Sequence, residues 1–374
     1  ALDTGDIQQF AGAEFVSVSK ERASAVKQYA RRLEGIARGF LAMTQETQQP
    51  RYEEAFIDVV GARVYYLHSG SGRPMLLIHG LVGSSANWRN NIDALAQHAS
   101  VYAIDLVNMG KSQRVGGLDA GLTATANRVA AVMNALNLAE ADIVAHSHGG
   151  AIALMLAALH PSLVRRLILF APANPYSRAS DVMVRIYSTA WGRILAWMLP
   201  YLPTPIQRVA LGQMYGGADR VVDRCMQEII ENLRSPVTLR HVLCVIRCWC
   251  AEMATLKAAI GHLKRTPTLL IWGDRDYTVS LSSAIQLKRR LRTSELIVLP
   301  GGGHSVFEEA PEEANRVMLE WLGRHSSSTS RLRHPPRIVS VAMNSVTHSK
   351  SALIDPEVRQ SLLRDTLELR KLTG

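Results

Sequence analysis

A chain of 374 residues that is 47% apolar can bury a sizeable core, as one large α/β domain or two smaller ones. Four cysteines are too few and too clustered for a disulfide framework, which points to reduced thiols and an intracellular setting. The net charge of +10 is spread out, no basic run is interleaved with aromatics, and no apolar run reaches the ~18 residues of a spanning helix, so neither nucleic-acid binding nor a transmembrane anchor is expected.

The opening ALDTGDIQQFAGAEFV has no basic segment followed by an apolar one, so a secretory signal is not expected. Residues 1–50 read as a helical extension. Within 20–43, Val26, Tyr29, Leu33, Ile36 and Phe40 form one apolar stripe, with Lys27, Arg31, Arg32 and Arg38 mostly off it. Packing on the main domain or a partner helix is the plain reading, and a membrane-surface helix is the sharper one.

From residue 53 the pattern changes. AFIDVV and RVYYLHS flank Gly61-Ala62 and read as a hairpin. Apolar runs follow at 74–80, 100–106, 141–147, 165–172, 267–274 and 295–304, with helical stretches at about 86–97, 122–137, 149–160, 281–291 and 311–324. Continuous apolar runs alternating with helices specify a mostly parallel sheet buried on both faces, here of eight strands. Residues 51–172 and 263–324 form this α/β core, and 173–262, which carry no strand signal, read as an inserted helical cap. The tail, 325–374, opens with the linker HSSSTSRLRHPPR, and a helix is expected near 356–371.

The run DIVAHSHGGAIALMLAALHP, 142–161, carries the chemistry. A strand pattern ends at His146 and a helix pattern starts at once, so Ser147 sits on a tight strand-to-helix turn. Large side chains two positions either side would clash, and those positions hold Ala145 and Gly149. The motif is thus small-x-Ser-x-Gly, with Ala145 where a glycine is usual. Two later strands end in WGDRDYTV (272–279) and LPGGGH (299–304). A serine, a carboxylate and a histidine, in that order and each at a strand end, suit acyl chemistry, in which a base takes the serine proton and a carboxylate steadies the imidazolium. Earlier, IHGLVGSSANW (78–88) follows the first parallel strand. There His79-Gly80 turns the chain so that the backbone N–H of Leu81, with that of His148, can form an oxyanion hole.

As a set these motifs resemble the α/β-hydrolase superfamily over residues 53–324. The family's G-x-x-D-x-x-V falls on Gly273, Asp276 and Val279, so the resemblance implies Asp276 as the acid beside Ser147 and His304, with Asp274 a turn carboxylate. The family's D-L-P-G-x-G-x-S stretch is DLVNMGKS here (105–112), with Val107 and Asn108 in place of Pro and Gly, which alters a loop bordering the site. Haloalkane dehalogenases and epoxide hydrolases of this fold use an aspartate nucleophile, unlike Ser147. Carbon–carbon bond hydrolases of the fold usually show S-H-G-G-G-P-G where this chain has HGLVGSS. What the resemblance leaves is ester, thioester or lactone hydrolysis, or acyl transfer.

His79, Gly80, Trp88 and His146 are expected to border the substrate, although Trp88 reads first as packing. His146 and His148 point away from each other across the elbow, so no metal is expected, and no cofactor. Ser84 and Ser85 read as helix caps. HVLCVIRCWC (241–250) fits no common zinc spacing, and its cysteines read as small core residues. In the cap, Arg185, Ser188, Thr189, Gly192 and Arg193 form one polar stripe in the otherwise apolar 181–203, which therefore reads as a buried helix. The alternatives are an acyl-pocket wall or a helix dipping into a lipid surface.

The sequence thus reads as a cytoplasmic serine hydrolase acting on a small-molecule ester with an apolar part. Peripheral membrane contact through 20–43 or 181–199 is left open. The alternatives are an acyltransferase, thioesterase or lactonase with the same triad, and a ligand-binding homologue without turnover.

Overall fold

The computed structural model describes residues 52–325 and 338–340, apart from 60, 178, 216, 218–220, 222 and 264; for 179–183, 213, 214 and 338–340 it describes the backbone alone. The helices expected within 20–43 and near 356–371 lie outside the described residues.

A β-hairpin opens the fold. Strands β1 (Glu53–Val59) and β2 (Ala62–Ser69) pair antiparallel about Gly61, whose φ of 73° is a left-handed turn conformation that glycine adopts without strain. The alternating unit follows: β3 (Pro74–Ile78), α1 (Ile92–Ala96), β4 (Ser100–Ile104), α2 (Leu122–Ala135), β5 (Ala141–His146), α3 (Ser147–Leu159) and β6 (Val164–Phe170). Among the described residues five α-helices then interrupt the sheet: α4 (Ala179–Ser188), α5 (Ala190–Met198), α6 (Thr204–Leu211), α7 (Asp223–Arg234) and α8 (Pro236–Ile260). The sheet resumes with β7 (Thr268–Gly273), α9 (Leu281–Arg290), β8 (Ser294–Leu299), α10 (Val306–Glu309) and α11 (Pro311–Arg324).

The strand order is β1-β2-β4-β3-β5-β6-β7-β8, with β2 antiparallel to β4 and the rest of the core parallel. The eight expected strands are therefore present. A ninth, β9 (Ile338–Ser340), adds in parallel to β8 within the tail read as linker and helix. Three residues are too few to show a strand period, and their conformation comes from the β8 edge they pair with.

Strand alternation divides the core in two. Leu76 and Ile78 face one side, where α2, α3 and α9 pack, while Met75 and Leu77 face the other, against Trp88, α1 and α11. A third cluster lies inside the cap, around Ile229, Ile230, Leu233 and Tyr215. Helix α8 belongs to both parts. Leu239 near its start joins the cap cluster, and Met253, Leu256 and Ile260 near its end join the sheet.

The stretch 181–203 departs from the reading of one buried helix. It breaks at Thr189, whose side chain caps α5 by accepting from the Gly192 N–H at 3.0 Å. Its large apolar residues face outward: Trp191 is 80% exposed and Met198 50%. The three cysteines of 241–250 are also not core residues, since Cys244 and Cys248 are half-buried and Cys250 is exposed.

Candidate active site

The turn from β5 into α3 is as sharp as the sequence requires. The backbone passes from an extended His146 (φ −118°) to Ser147 at φ 51°. A left-handed serine costs on the order of 1–3 kcal/mol and must be held by its surroundings. Two close approaches do this. A Cβ at Gly149 would stand 2.3 Å from the His79 carbonyl oxygen, and one at Gly150 would stand 2.5 Å from Pro172 Cβ. Helix α3 thus lies directly on the loops after β3 and β6, with the Ala173 N–H donating to the Ser147 carbonyl at 2.9 Å. Ala145, which stands where a glycine is usual, is fully buried in the core.

Ser147 Oγ lies 2.8 Å from His304 Nε2, and His304 Nδ1 lies 2.7 Å from Asp276 Oδ2. A carboxylate only accepts, so Nδ1 carries the proton and Nε2 is left to accept from the serine hydroxyl. Asp276 is fixed through its other oxygen, which accepts the Thr278 and Val279 N–H groups at 2.8 Å each. The acid and base loops meet because Gly273 has no side chain: a Cβ there would fall 2.2 Å from the Gly302 carbonyl oxygen. Asp274 has the turn role read from sequence, accepting the Gly301 N–H at 2.6 Å.

Leu81 and His148 both border the space above Ser147. His148 is the second residue of α3, where an N–H has no carbonyl partner within the helix. Leu81 lies in a tight turn closed by the Gly83 N–H on the Gly80 carbonyl at 3.1 Å, with Val82 at φ 65°. The His148 ring is buried beside Trp249, and burial first, then His241 and His79, pull its pKa down to about 3, which leaves it neutral.

Four residues expected to border the substrate do not reach the main cavity. His79 is buried between two loops: its Nδ1–H donates to the Gly80 carbonyl at 2.7 Å, and its Nε2 accepts the Leu106 N–H at 3.0 Å. His146 lies beneath His304 and donates Nε2–H to its backbone carbonyl at 3.1 Å. Trp88 is fully buried against Phe307, with ring centroids 4.3 Å apart. Gly80 borders a separate, smaller cavity, and a Cβ there would stand 2.8 Å from His146 Nδ1. All four shape the floor and loops of the site rather than its wall. Proximity in a motif does not give side-chain direction.

The main cavity, of about 200 Å³, runs from Ser147 and His304 up into the cap between Leu199, Leu239, Val242 and Trp249. Among its described lining residues there is no Asp, Glu, Lys or Arg. In the altered 105–112 loop Asn108 takes a left-handed conformation (φ 74°), which asparagine tolerates better than most residues, and its Oδ1 accepts the Val115 N–H at 2.6 Å.

Sequence reading missed the residues that seat the cap. Asn232 on α7 accepts the Gly110 N–H at 2.9 Å and donates to the Val82 carbonyl at 3.0 Å, tying the cap to the turn that carries Leu81. The available signal was a polar residue on the apolar stripe of Cys225, Met226, Ile229 and Leu233. A second seat is Glu308, four residues after His304. It accepts from Asn87 Nδ2 at 2.8 Å and from the Tyr215 hydroxyl at 3.3 Å, with Arg89 3.8 Å away. Burial, the largest influence, pushes Glu308 up to about 7.

Comparison with known proteins agrees with this architecture. The model of the alpha/beta hydrolase fold family matches residues 73–311. A 2-hydroxymuconate semialdehyde hydrolase from Pseudomonas sp. (strain CF600) is 28% identical, over 70% of this chain and 91% of that protein. The dihydrolipoyllysine-residue acetyltransferase component of the acetoin cleaving system of Pseudomonas putida is also 28% identical, over 75% and 71%. Among solved structures, a haloalkane dehalogenase from Bradyrhizobium elkanii superposes with a TM-score of 0.64 at 22% identity, covering 74% of this chain and 98% of that one. Strand order, the strained elbow and a match over more than half its length make the chain a member of the α/β-hydrolase fold family of hydrolytic enzymes.

Proposed function

We propose that the protein hydrolyses a neutral carboxylic ester with an apolar part, through an acyl-serine intermediate on Ser147. The observation that carries this reading is the Asp276–His304–Ser147 hydrogen-bond chain opening into a cavity whose described walls hold no charged side chain. His304 Nε2 takes the serine proton as Oγ attacks the carbonyl, and Asp276 stabilises the imidazolium. The N–H groups of Leu81 and His148 receive the oxyanion, each worth about 3–4 kcal/mol of barrier. His304 then protonates the leaving alcohol and later activates the water that releases the acid.

A 150 Å³ apolar cavity accommodates a benzene ring, so about 200 Å³ suits an apolar group of roughly six to eight carbons. The test is a series of p-nitrophenyl esters from acetate to dodecanoate, with Ser147→Ala as the control. A burst of p-nitrophenol and an optimum near hexanoate or octanoate are expected. No burst and no fluorophosphonate adduct on the folded protein would overturn the reading.

A second reading comes from relatives named as hydrolases of dienoic acids, such as the 2-hydroxy-6-oxo-6-(2'-aminophenyl)hexa-2,4-dienoic acid hydrolase of Metapseudomonas resinovorans, 26% identical. Against it, a carboxylate placed in this cavity would find no cationic partner among the described walls, and an unpaired buried charge costs several kcal/mol. Turnover of a 2-hydroxy-6-oxo-dienoate faster than of any ester would favour it. Acyl transfer uses the same triad and is separated by product analysis with added alcohol.

A further inference from the structure

Of twelve exposed large apolar side chains among the described residues, nine lie between Ile186 and Val209 on the cap. Helix α5 is built inside out. Gly192 and Ala196 face inward, while Trp191, Ile194, Leu195 and Met198, at spacings of 3, 1 and 3, form the outer stripe. The inward choice has a steric cause, since a Cβ at Gly192 would stand 2.0 Å from the Ile186 carbonyl oxygen. The outer stripe continues into a shallow groove formed by Ile194, Trp197, Met198, Tyr201 and Leu202. Apolar area concentrated in this way marks an interaction surface.

Charge and composition select the occupant. Residues 181–220 carry Arg185, Arg193, Arg208 and Arg220 against Asp181 and Asp219, a net charge of +2. Arg208 is held by Asp223, while Arg185 on α4 and Arg193 on α5 are exposed. An isologous pairing would bring two net-positive faces together, whereas an anionic lipid surface complements them. Trp191 and Tyr201, 80% and 70% exposed, are residue types that settle at the membrane–water boundary. The same segment faces the cavity from its other side, through Ala196 and Leu199.

We propose that the outer face of α5 and the following turn dock on an anionic lipid surface, so that an apolar ester passes from the lipid into the cavity beneath. The route to the cavity rests on the ester reading above, and the docking itself does not. The test uses the full chain with unilamellar vesicles of phosphatidylcholine alone or with phosphatidylglycerol, some of it brominated. Trp88, Trp272 and Trp321 are fully buried and Trp249 is half-buried in the cavity wall, so quenching on docking reports on the exposed Trp191 and Trp197, and Trp249→Phe removes any signal from a lipid inside the cavity. Co-sedimentation with anionic vesicles and quenching are expected for the wild type, and co-sedimentation should fall at least tenfold in Trp191→Glu/Ile194→Glu. Arg185→Glu/Arg193→Glu should abolish the preference for phosphatidylglycerol. Hydrolysis of a soluble short-chain p-nitrophenyl ester should stay within twofold in both variants, which separates this test from that of the ester reading. No vesicle binding, binding unchanged in the Trp191 double variant, or a dimer that this variant dissolves would overturn the proposal.

Discussion

Helices α3 and α5 are almost equally apolar in sequence and have opposite fates. In SHGGAIALMLAAL every residue from His148 to Ala157 is buried, whereas in AWGRILAWM only Gly192 and Ala196 are. Helix α3 has β5 and β6 beneath it and α2 and α8 beside it, whereas among the described residues α5 packs chiefly against α4, α8 and the turn that follows. Apolar content states what a side chain would prefer. The number of neighbours a topology supplies decides whether the preference is met. Both helices use small residues where backbones approach, Gly149 and Gly150 in one and Gly192 in the other, but only α3 has partners for its large residues as well.

The largest expected effect tests what the tight seating of α3 is for. Ser147→Ala should lower p-nitrophenyl hexanoate turnover by several orders of magnitude, up to about a million-fold, without unfolding the protein. Ser147→Gly should be equally inactive yet more stable by about 1 kcal/mol in urea titration, because glycine meets φ 51° without strain. If Ser147→Gly gains nothing, the elbow stores no strain and α3 is an ordinary buried helix. Within α3, Leu154→Ala should cost about 2–5 kcal/mol, since Leu154 is fully buried and its removal leaves a cavity. The urea midpoint measures that loss directly.

How much of this was legible follows the same division. The elbow, a carboxylate and His304 stood out because strand ends in a parallel sheet converge at one edge, but strand-end position left Asp274 and Asp276 equal, and the preference for Asp276 came from the family pattern alone. The core strands and their helices were legible because burial on both faces leaves a continuous apolar run. The cap was not, because the outer stripe of α5 carries the period of a buried helix while facing outward. Nor did the motif around Ser147 show that His146 turns down to hold the His304 carbonyl while His148 turns up toward the cavity. The Glu308 seat left no sequence signal, since Asn87, Arg89, Tyr215 and Glu308 come from three distant segments.

That seat joins the core to the cap, and its titration can be measured. Burial favours the neutral carboxyl and raises Glu308 from its ordinary 4.5 to about 7. A carboxyl raised on folding contributes stability below its unfolded value and loses it as pH climbs through the folded one. Between about pH 4.5 and 7 the wild type should therefore lose about 3 kcal/mol relative to Glu308→Gln, which cannot ionise. Urea titrations at pH 4.5, 6 and 8 give the difference. A flat difference would mean that Arg89 neutralises the carboxylate in full and that the seat is a plain ion pair.

The smallest effect is the most direct test of the contrast. Leu195 is 49% exposed on the outer stripe of α5, so Leu195→Ala removes side chain that already faces outward. Its cost should stay within about 0.5 kcal/mol, several-fold below Leu154→Ala, although the chemical change is identical. Equal costs would mean that the outer stripe is covered in solution. The midpoint's concentration dependence then distinguishes the covers: a second copy makes it rise with protein concentration, and a segment of the same chain leaves it fixed. Under either cover α5 would be a buried helix after all, and the difference from α3 would lie in which partner buries it.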